Sequence, residues 1–188
     1  MKSYLIKDLG IQISVFPKTG TSFMDSIVED YNTIDFLSNI PNEIFKYNSK
    51  EHLISLRDPF DRFITGFITY HKRKESDVGI IDLFLDCYNT HQNNWDFDDH
   101  TKNFYVNSLT EIPKNVNFFD YKEIGSILNS YGFSYPNNHR YLNDNPIESK
   151  DSLRSFIEKN PKVFKDILYY LSPDIQIYQK LKKVVDNI

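Results

Sequence analysis

The stretch Ile11-Gln12-Ile13-Ser14-Val15-Phe16-Pro17-Lys18-Thr19-Gly20-Thr21-Ser22 decides how this chain is read. Its first half is a short β-branched and aromatic run, bounded by Pro17 and Gly20, and reads as a strand. From Thr21 to Tyr31 the apolar residues Phe23, Ile27, Val28 and Tyr31 recur at helical spacing. A strand–loop–helix junction aims free backbone N–H groups and the positive end of a helix dipole at one spot. Gly20 lets the backbone approach an anion closely, Thr21 and Ser22 add hydroxyl donors, and Lys18 supplies a full charge. Phosphate or sulfate is the natural ligand of such a loop. A plainer reading, a turn with a solvent-facing lysine, would suit an isolated Lys-Thr-Gly-Thr; the position between strand and helix weighs against it. The loop is not a Walker A, because the Gly-x-x-x-x-Gly-Lys-Ser/Thr spacing is missing and Lys18 precedes the glycine.

Working outward, His52-Leu53-Ile54-Ser55-Leu56 reads as a second strand and runs into Arg57-Asp58-Pro59. Asp58 can cap a helix whose first-turn residue is Pro59. That helix shows Phe60, Phe63, Ile64, Phe67 and Ile68 on one face and ends near His71-Lys72-Arg73-Lys74, cations suited to a helix C-terminus. Arg57 then sits at the C-terminal end of a strand, where open α/β sheets place their ligands, and Thr65 lies two turns into the helix. An arginine and a hydroxyl converging in this way make a fork for a second phosphate. The competing reading of Arg57 is a salt bridge to Asp58 or Asp61; for Arg62, an exposed ion-pairing role on the helix surface is the expectation.

Further along, Ile80–Tyr88 and Asp99–Leu109 read as helices, Val116–Tyr121 as a third strand, and Lys122–Tyr131 as a helix. Helices over Lys150–Glu158, Pro161–Leu171 and Pro173–Val185 follow. Strands alternating with helices imply βαβ units on a parallel sheet, with helices dominating the C-terminal third. No repeat, low-complexity tract or linker divides the chain, so residues 1–188 are expected to form one domain.

Composition narrows the function classes. A net charge of −4 argues against a protein that coats nucleic acid, while leaving room for a local basic pocket. Cys87 is the single cysteine, so neither an intrachain disulfide nor a Cys-rich zinc site is possible, and a reducing compartment fits best. No apolar run approaches the roughly 18–20 residues that span a bilayer, and Asp8 interrupts what would be a signal-peptide core. A soluble cytoplasmic protein without membrane contact is expected.

Taken together, the two junctions resemble the signature loops of sulfotransferases that use 3′-phosphoadenosine 5′-phosphosulfate (PAPS). Pro17 to Ser22 is similar to their Pro-Lys-x-Gly-Thr-Thr/Ser loop for the 5′-phosphosulfate. Arg57 to Thr65 is similar to their Arg-Asp-Pro-x-x-Arg-x-x-Ser segment for the 3′-phosphate, with Thr65 in place of the usual serine. Fainter likenesses to carbohydrate-type members follow at Asp99–Phe104, Asn117–Glu123, His139–Asn143 and Ser172–Tyr178. The chain is short for that family and lacks the signal anchor and paired cysteines of its Golgi members. The resemblance implies a P-loop-like three-layer α/β fold with a central parallel sheet flanked by helices. It implies sulfuryl transfer from PAPS to an acceptor hydroxyl, most naturally on a carbohydrate, without metal. Lys18 would neutralise the bridging oxygen, the amides of Thr19, Gly20, Thr21 and Ser22 beside Pro17 would hold the 5′-phosphate, and Arg57 and Thr65 would fix the 3′-phosphate. Arg140 is a candidate addition to the nucleotide pocket, with a solvated loop arginine as the alternative.

An acceptor hydroxyl also needs a general base. The resemblance places it between the first helix and the second strand. His52 lies about 16 Å from the ligand edge, five residues back along a strand at ~3.3 Å each. His71 lies similarly far along its helix, whereas Glu43 meets no such objection and His100 is its rival; His91 and His139 read as loop histidines. The cations of His71–Lys74 suit an anionic acceptor or simply a helix end, and Tyr121, Tyr131, Phe133 and Tyr135 suit either ring stacking or the core. Two other functions compete. A non-catalytic nucleotide-binding module would keep Arg57 and tolerate loss of Lys18, and a P-loop kinase-like phosphotransferase would require the missing Walker A.

Overall fold

Runs of β-branched residues become strands where the sequence places them, and two further strands join them. A computed structural model describes residues 1–38, 48–74, 77–91, 94–95, 98–109, 116–133 and 147–185. The hairpin β1 (Lys2–Ile6) and β2 (Ile11–Val15) leads into α1 (Thr21–Asp30), β3 (Ile34–Ser38), β4 (Glu51–Leu56), α2 (Pro59–Arg73) and α3 (Ile80–His91). Next come the single turn α4 (Tyr105–Ser108), β5 (Val116–Asp120), a 3-10 turn (Tyr121–Glu123) running into α5 (Ile124–Ser130), α6 (Ile147–Lys159) and α7 (Pro161–Val185).

The fold is α/β, with strand order β3-β1-β2-β4-β5. The three anticipated strands are parallel neighbours: Ile13 lies opposite Leu53, and Ile54 opposite Phe118. The sheet as a whole is mixed, which corrects the expectation of a parallel one. β1 runs antiparallel to both β2 and β3. The reason is chain length, since only Lys7–Gly10 separate β1 from β2 and a parallel pair needs a crossover of about a dozen residues or more. Gly10 closes that turn at φ 67°, its amide donating to Ile6 at 2.9 Å.

One sheet face carries Tyr4, Ile6, Ile13, Val15, Leu53 and Phe119 against Met24 and Ile27 of α1 and Ile124 and Leu128 of α5. The opposite face packs Phe16, Ile54, Leu56 and Phe118 against Tyr105 and Leu181 of α4 and α7. Alternating with these is a buried polar chain. Gln12 Nε2 donates to Ser3 Oγ at 2.7 Å, the Ser3 and Ser14 hydroxyls meet at 2.8 Å, and Ser14 Oγ meets His52 Nε2 at 2.7 Å. Burial holds the His52 imidazole down to about 4, so it is neutral and structural at physiological pH. A third core, built by α2, α3, α6 and α7, centres on Phe63, Phe67, Phe84, Trp95, Leu153 and Ile167. No helix among the described residues is long and apolar enough to cross a membrane.

Two helical expectations are corrected. Residues 98–102 form turns instead of a helix, because Asp98 Oδ1 accepts from the His100 amide at 2.7 Å and Thr101 Oγ1 donates to the Trp95 carbonyl at 2.7 Å. Such local side-chain bonds offer the backbone an alternative to the helix ladder. Conversely, α7 continues through Pro173, where two helices were expected. Buried Leu171 before the proline and Asp174 and Leu181 after it anchor both halves, so tertiary packing overrides the lost N–H.

Arg62 is also unlike its expectation. Its side chain is fully buried, facing Asp174 Oδ2 at 3.3 Å with its guanidinium 4.8 Å from the Phe104 ring centre. Asp174 in turn accepts from the amides of Phe104 at 2.8 Å and Val106 at 2.9 Å, capping the N-terminus of α4. The pair therefore ties α2, α4 and α7 together. Truncating one partner strands the other as a buried charge, so Arg62→Ala and Asp174→Ala are each expected to lower stability by roughly 3–5 kcal/mol in urea unfolding. A loss below about 1 kcal/mol, the value of a surface pair, would contradict this placement.

Candidate functional site

Because β2, β4 and β5 are parallel, the segments following them leave the sheet at the same edge. After β2 the chain makes a tight turn in which the Thr19 amide donates to the Phe16 carbonyl at 3.0 Å. Thr19 Oγ1 accepts from the Phe16 amide and meets Ser55 Oγ on β4, both at 2.7 Å. Thr19 thus shapes the loop, with both its amide and its hydroxyl engaged within it. Lys18 sits at φ 66° and Gly20 at φ 108°, so left-handed residues flank Thr19. Such backbone costs a non-glycine residue roughly 1–3 kcal/mol. It turns successive amides toward one side, as anion-binding nests do. α1 begins directly after Gly20 and has no side-chain cap, leaving its first-turn amides, Thr21 and Ser22 among them, at this edge.

Arg57, at the end of β4, joins the second junction to the first. Its Nη1 donates to the Lys18 carbonyl at 2.8 Å, its Nη2 to Thr65 Oγ1 at 2.7 Å, and its Nε to Asp61 Oδ2 at 2.7 Å. Tyr105 Oη brackets its backbone, accepting from the Arg57 amide at 2.8 Å and donating to the Arg57 carbonyl at 2.7 Å. The ring of Tyr121, just past β5, lies 4.5 Å from the guanidinium carbon. Asp58 caps α2 as anticipated, accepting from the Asp61 amide at 2.9 Å, with Pro59 in the first turn. Arg57 converges with Thr65 and also makes the ion pair with Asp61 that the competing reading expected.

Sequence reasoning missed the other partners of Asp61. Its Oδ1 is held by Lys150 Nζ at 2.9 Å and Arg154 Nη2 at 2.6 Å, both from α6. Three cations therefore surround one carboxylate, and Arg154 has Glu158 as a second partner at 3.7 Å. Burial pulls the Asp61 carboxyl upward, but Arg57 and Lys150 outweigh it and hold the group below the usual carboxylate range. The spacing of Lys150 and Arg154, four apart on a helix, was the available signal.

His100 reaches the same edge through Gly66 of α2. A Cβ at Gly66 would lie 2.0 Å from the His100 carbonyl oxygen, so the absent side chain is what lets the 98–104 segment press onto the helix. Both His100 ring nitrogens are enclosed without a hydrogen-bond partner among the described residues. A cleft of about 410 Å³ opens here, lined by Pro17, Arg73, Asp99, His100, Lys102 and Phe104. Burial, with Arg73 as the strongest charge, lowers the Lys18 amine to about 8. Burial, then Lys18 and Arg73, lowers the His100 imidazole. The far end of α2 thus lies beside the first loop, so the helix-length argument that set this end aside does not hold; His71 itself bonds the Val78 carbonyl at 2.7 Å.

The remaining candidates divide plainly. Glu43, His139, Arg140 and Tyr135 lie outside the described residues. Phe133 is core, packing edge-on to Tyr31 at 5.2 Å, and Tyr131 joins the same core, while His91 is the last residue of α3 and not in a loop. Among the described residues, no three His, Cys, Asp or Glu side chains gather as metal ligands. No model of a known protein family matches the chain, and neither a curated protein nor a solved structure does.

Two measurements check this geometry. Gly66→Ala should destabilise by about 1–3 kcal/mol through overpacking and shift the His100 ring resonances, although alanine is the better helix former. A stabilised variant would mean that the contact is loose. Pulsed amine acylation should find Lys18 reacting with a midpoint near pH 8, charged below it and neutral above. A midpoint near the ordinary 10.5 would mean an amine remote from Arg73.

Proposed function

We propose that the protein is a PAPS-dependent sulfotransferase acting on an acceptor hydroxyl, most naturally of a carbohydrate. The observation that carries this reading is the 2.8 Å bond from Arg57 to the Lys18 carbonyl. It joins two motifs, each of which resembles a nucleotide-binding loop of that family. Adenosine 3′,5′-bisphosphate carries two anions, and this edge offers two cationic elements, so the residues present fit the group. The amides that open α1 and the Lys18 ammonium would hold the 5′ side. Arg57, Thr65 and the cations around Asp61 would hold the 3′-phosphate. Among the described residues, Arg57 keeps an Nη1 proton beyond its bonds to Asp61, Thr65 and the Lys18 carbonyl.

PAPS, when bound, would supply the sulfuryl group, its bond from sulfur to the bridging phosphate oxygen being exchanged for one to the acceptor oxygen. Lys18 would neutralise the charge that develops on the bridging oxygen. Glu43 and His100 are the two candidates for the base that would take the acceptor's proton. A second reading, a nucleotide-binding module without catalysis, draws on the Arg57–Asp61 ion pair at 2.6 Å, which engages much of the fork internally.

Calorimetry and labelled-sulfate transfer test the proposal. The bisphosphate should bind without metal and at least tenfold more tightly than AMP, since one charge-assisted bond is worth about 1.5–3 kcal/mol. Arg57→Ala should erase that preference. Lys18→Ala should lower turnover by about 10²–10³ while weakening product binding less, because a charge on the bridging oxygen acts most strongly as that bond breaks. Equal affinity for AMP would sink the reading. Bisphosphate binding without transfer to any acceptor would favour the module.

A further inference from the structure

Tyr105 touches the root of both junctions. It is fully buried on the single turn α4, where the Asp174 carboxylate accepts from the amides on either side of it, Phe104 at 2.8 Å and Val106 at 2.9 Å. Its ring meets that of Phe16, the last residue before the first loop, edge-on at 4.8 Å between centres. Its hydroxyl accepts from the Arg57 amide at 2.8 Å and donates to the Arg57 carbonyl at 2.7 Å. The last ladder pairs of β4 are Ile54 with Ser14 on one side and Leu56 with Asp120 on the other, so Arg57 lies one residue past the ladder. The phenol extends the pairing by that residue. Two bonds to one oxygen require the amide and carbonyl of Arg57 to point the same way, as in an extended residue. That fixes the direction in which its side chain leaves the backbone. Burial raises the Tyr105 phenol above its ordinary range, so the hydroxyl keeps the proton it donates.

We infer that Tyr105 is a positioning residue that holds the two junctions at one spacing, and thereby makes this edge select ligands with two anionic groups over ligands with one. The inference rests on the nucleotide-binding part of the proposed function and adds a residue that acts through Arg57. The Phe16 contact registers the turn that carries Lys18 and Gly20. The Arg57 bracket registers the fork with Thr65. A ligand bound at both places gains fully from each only while their separation matches its own, because the second contact is then made with little further loss of motion. A ligand with one anion is indifferent to that separation. Removing the hydroxyl would spare the ring contact and release the Arg57 backbone alone.

The test titrates the full chain and its Tyr105→Phe variant by calorimetry with adenosine 3′,5′-bisphosphate, AMP and adenosine 3′-monophosphate. The variant should bind the bisphosphate and the 3′-monophosphate about tenfold more weakly, while AMP affinity changes less than about threefold; losses from misplacement reach about 10²-fold. In the Arg57→Ala background the same substitution should alter none of the three affinities. Ile157→Val, a change in the third core, is the control for lost stability and should leave the bisphosphate-to-AMP ratio as it is. A Tyr105→Phe variant that keeps the parent ratio, one that weakens all three nucleotides equally, or an additive loss in the Arg57→Ala background would each overturn the inference. A second measurement needs neither variant nor nucleotide. In NMR spectra of the parent chain the Tyr105 hydroxyl proton should be visible, slow to exchange and close to the Arg57 amide proton; rapid exchange would overturn the inference even if Tyr105→Phe failed to fold. No preference for the bisphosphate in the parent chain would remove the sulfuryl-transfer reading and this inference together, whereas a parent preference that survives Tyr105→Phe would overturn the inference alone.

Discussion

Everything at the functional edge is referenced to the Arg57 guanidinium. It bonds the loop after β2, the first turns of α2 and, through its face, the ring of Tyr121 after β5. Its backbone is fixed from the far side by Tyr105. A single planar group with donors pointing in several directions can lock the ends of three parallel strands into one geometry, which a lysine could not do. The strained Lys18 backbone follows from this, because its carbonyl is held while Thr19 anchors the turn from within.

Several cations gather at this edge: Arg57, Lys150 and Arg154 around Asp61, and Arg73 close enough to act on Lys18. Burial first, and then Arg73 and Arg57, lower the Lys18 amine to about 8, while Arg57 and Lys150 keep Asp61 ionised. Burial also explains why Arg57 is tethered to Asp61, since an isolated, largely buried guanidinium would be costly.

Behind the site, a buried ion pair and a missing side chain do the positioning. Arg62 and Asp174 hold α2 to α7 and cap α4, so Tyr105 stands where it can grip Arg57. Gly66 lets the His100 segment approach α2 at backbone contact distance. Neither contributes an atom to the edge, yet both decide where its residues stand.

Local sequence by itself determined the parallel strands, the helices that follow them and the Asp58 cap. These depend on neighbouring residues: β-branched runs, helical spacing, a proline after an aspartate. Sequence reasoning missed β1 and its hairpin with β2, and it missed the cationic face that Lys150 and Arg154 present to Asp61. Their partners were not legible, because Asp61 lies far away in the chain. Only the tertiary structure decided that Arg62 is buried, that α7 passes through Pro173, that Thr19 shapes its loop, and that Arg73 lies beside Lys18. Each turns on which long-range neighbours exclude water or supply a counter-charge, and that information belongs to the packed chain and not to any one segment of it.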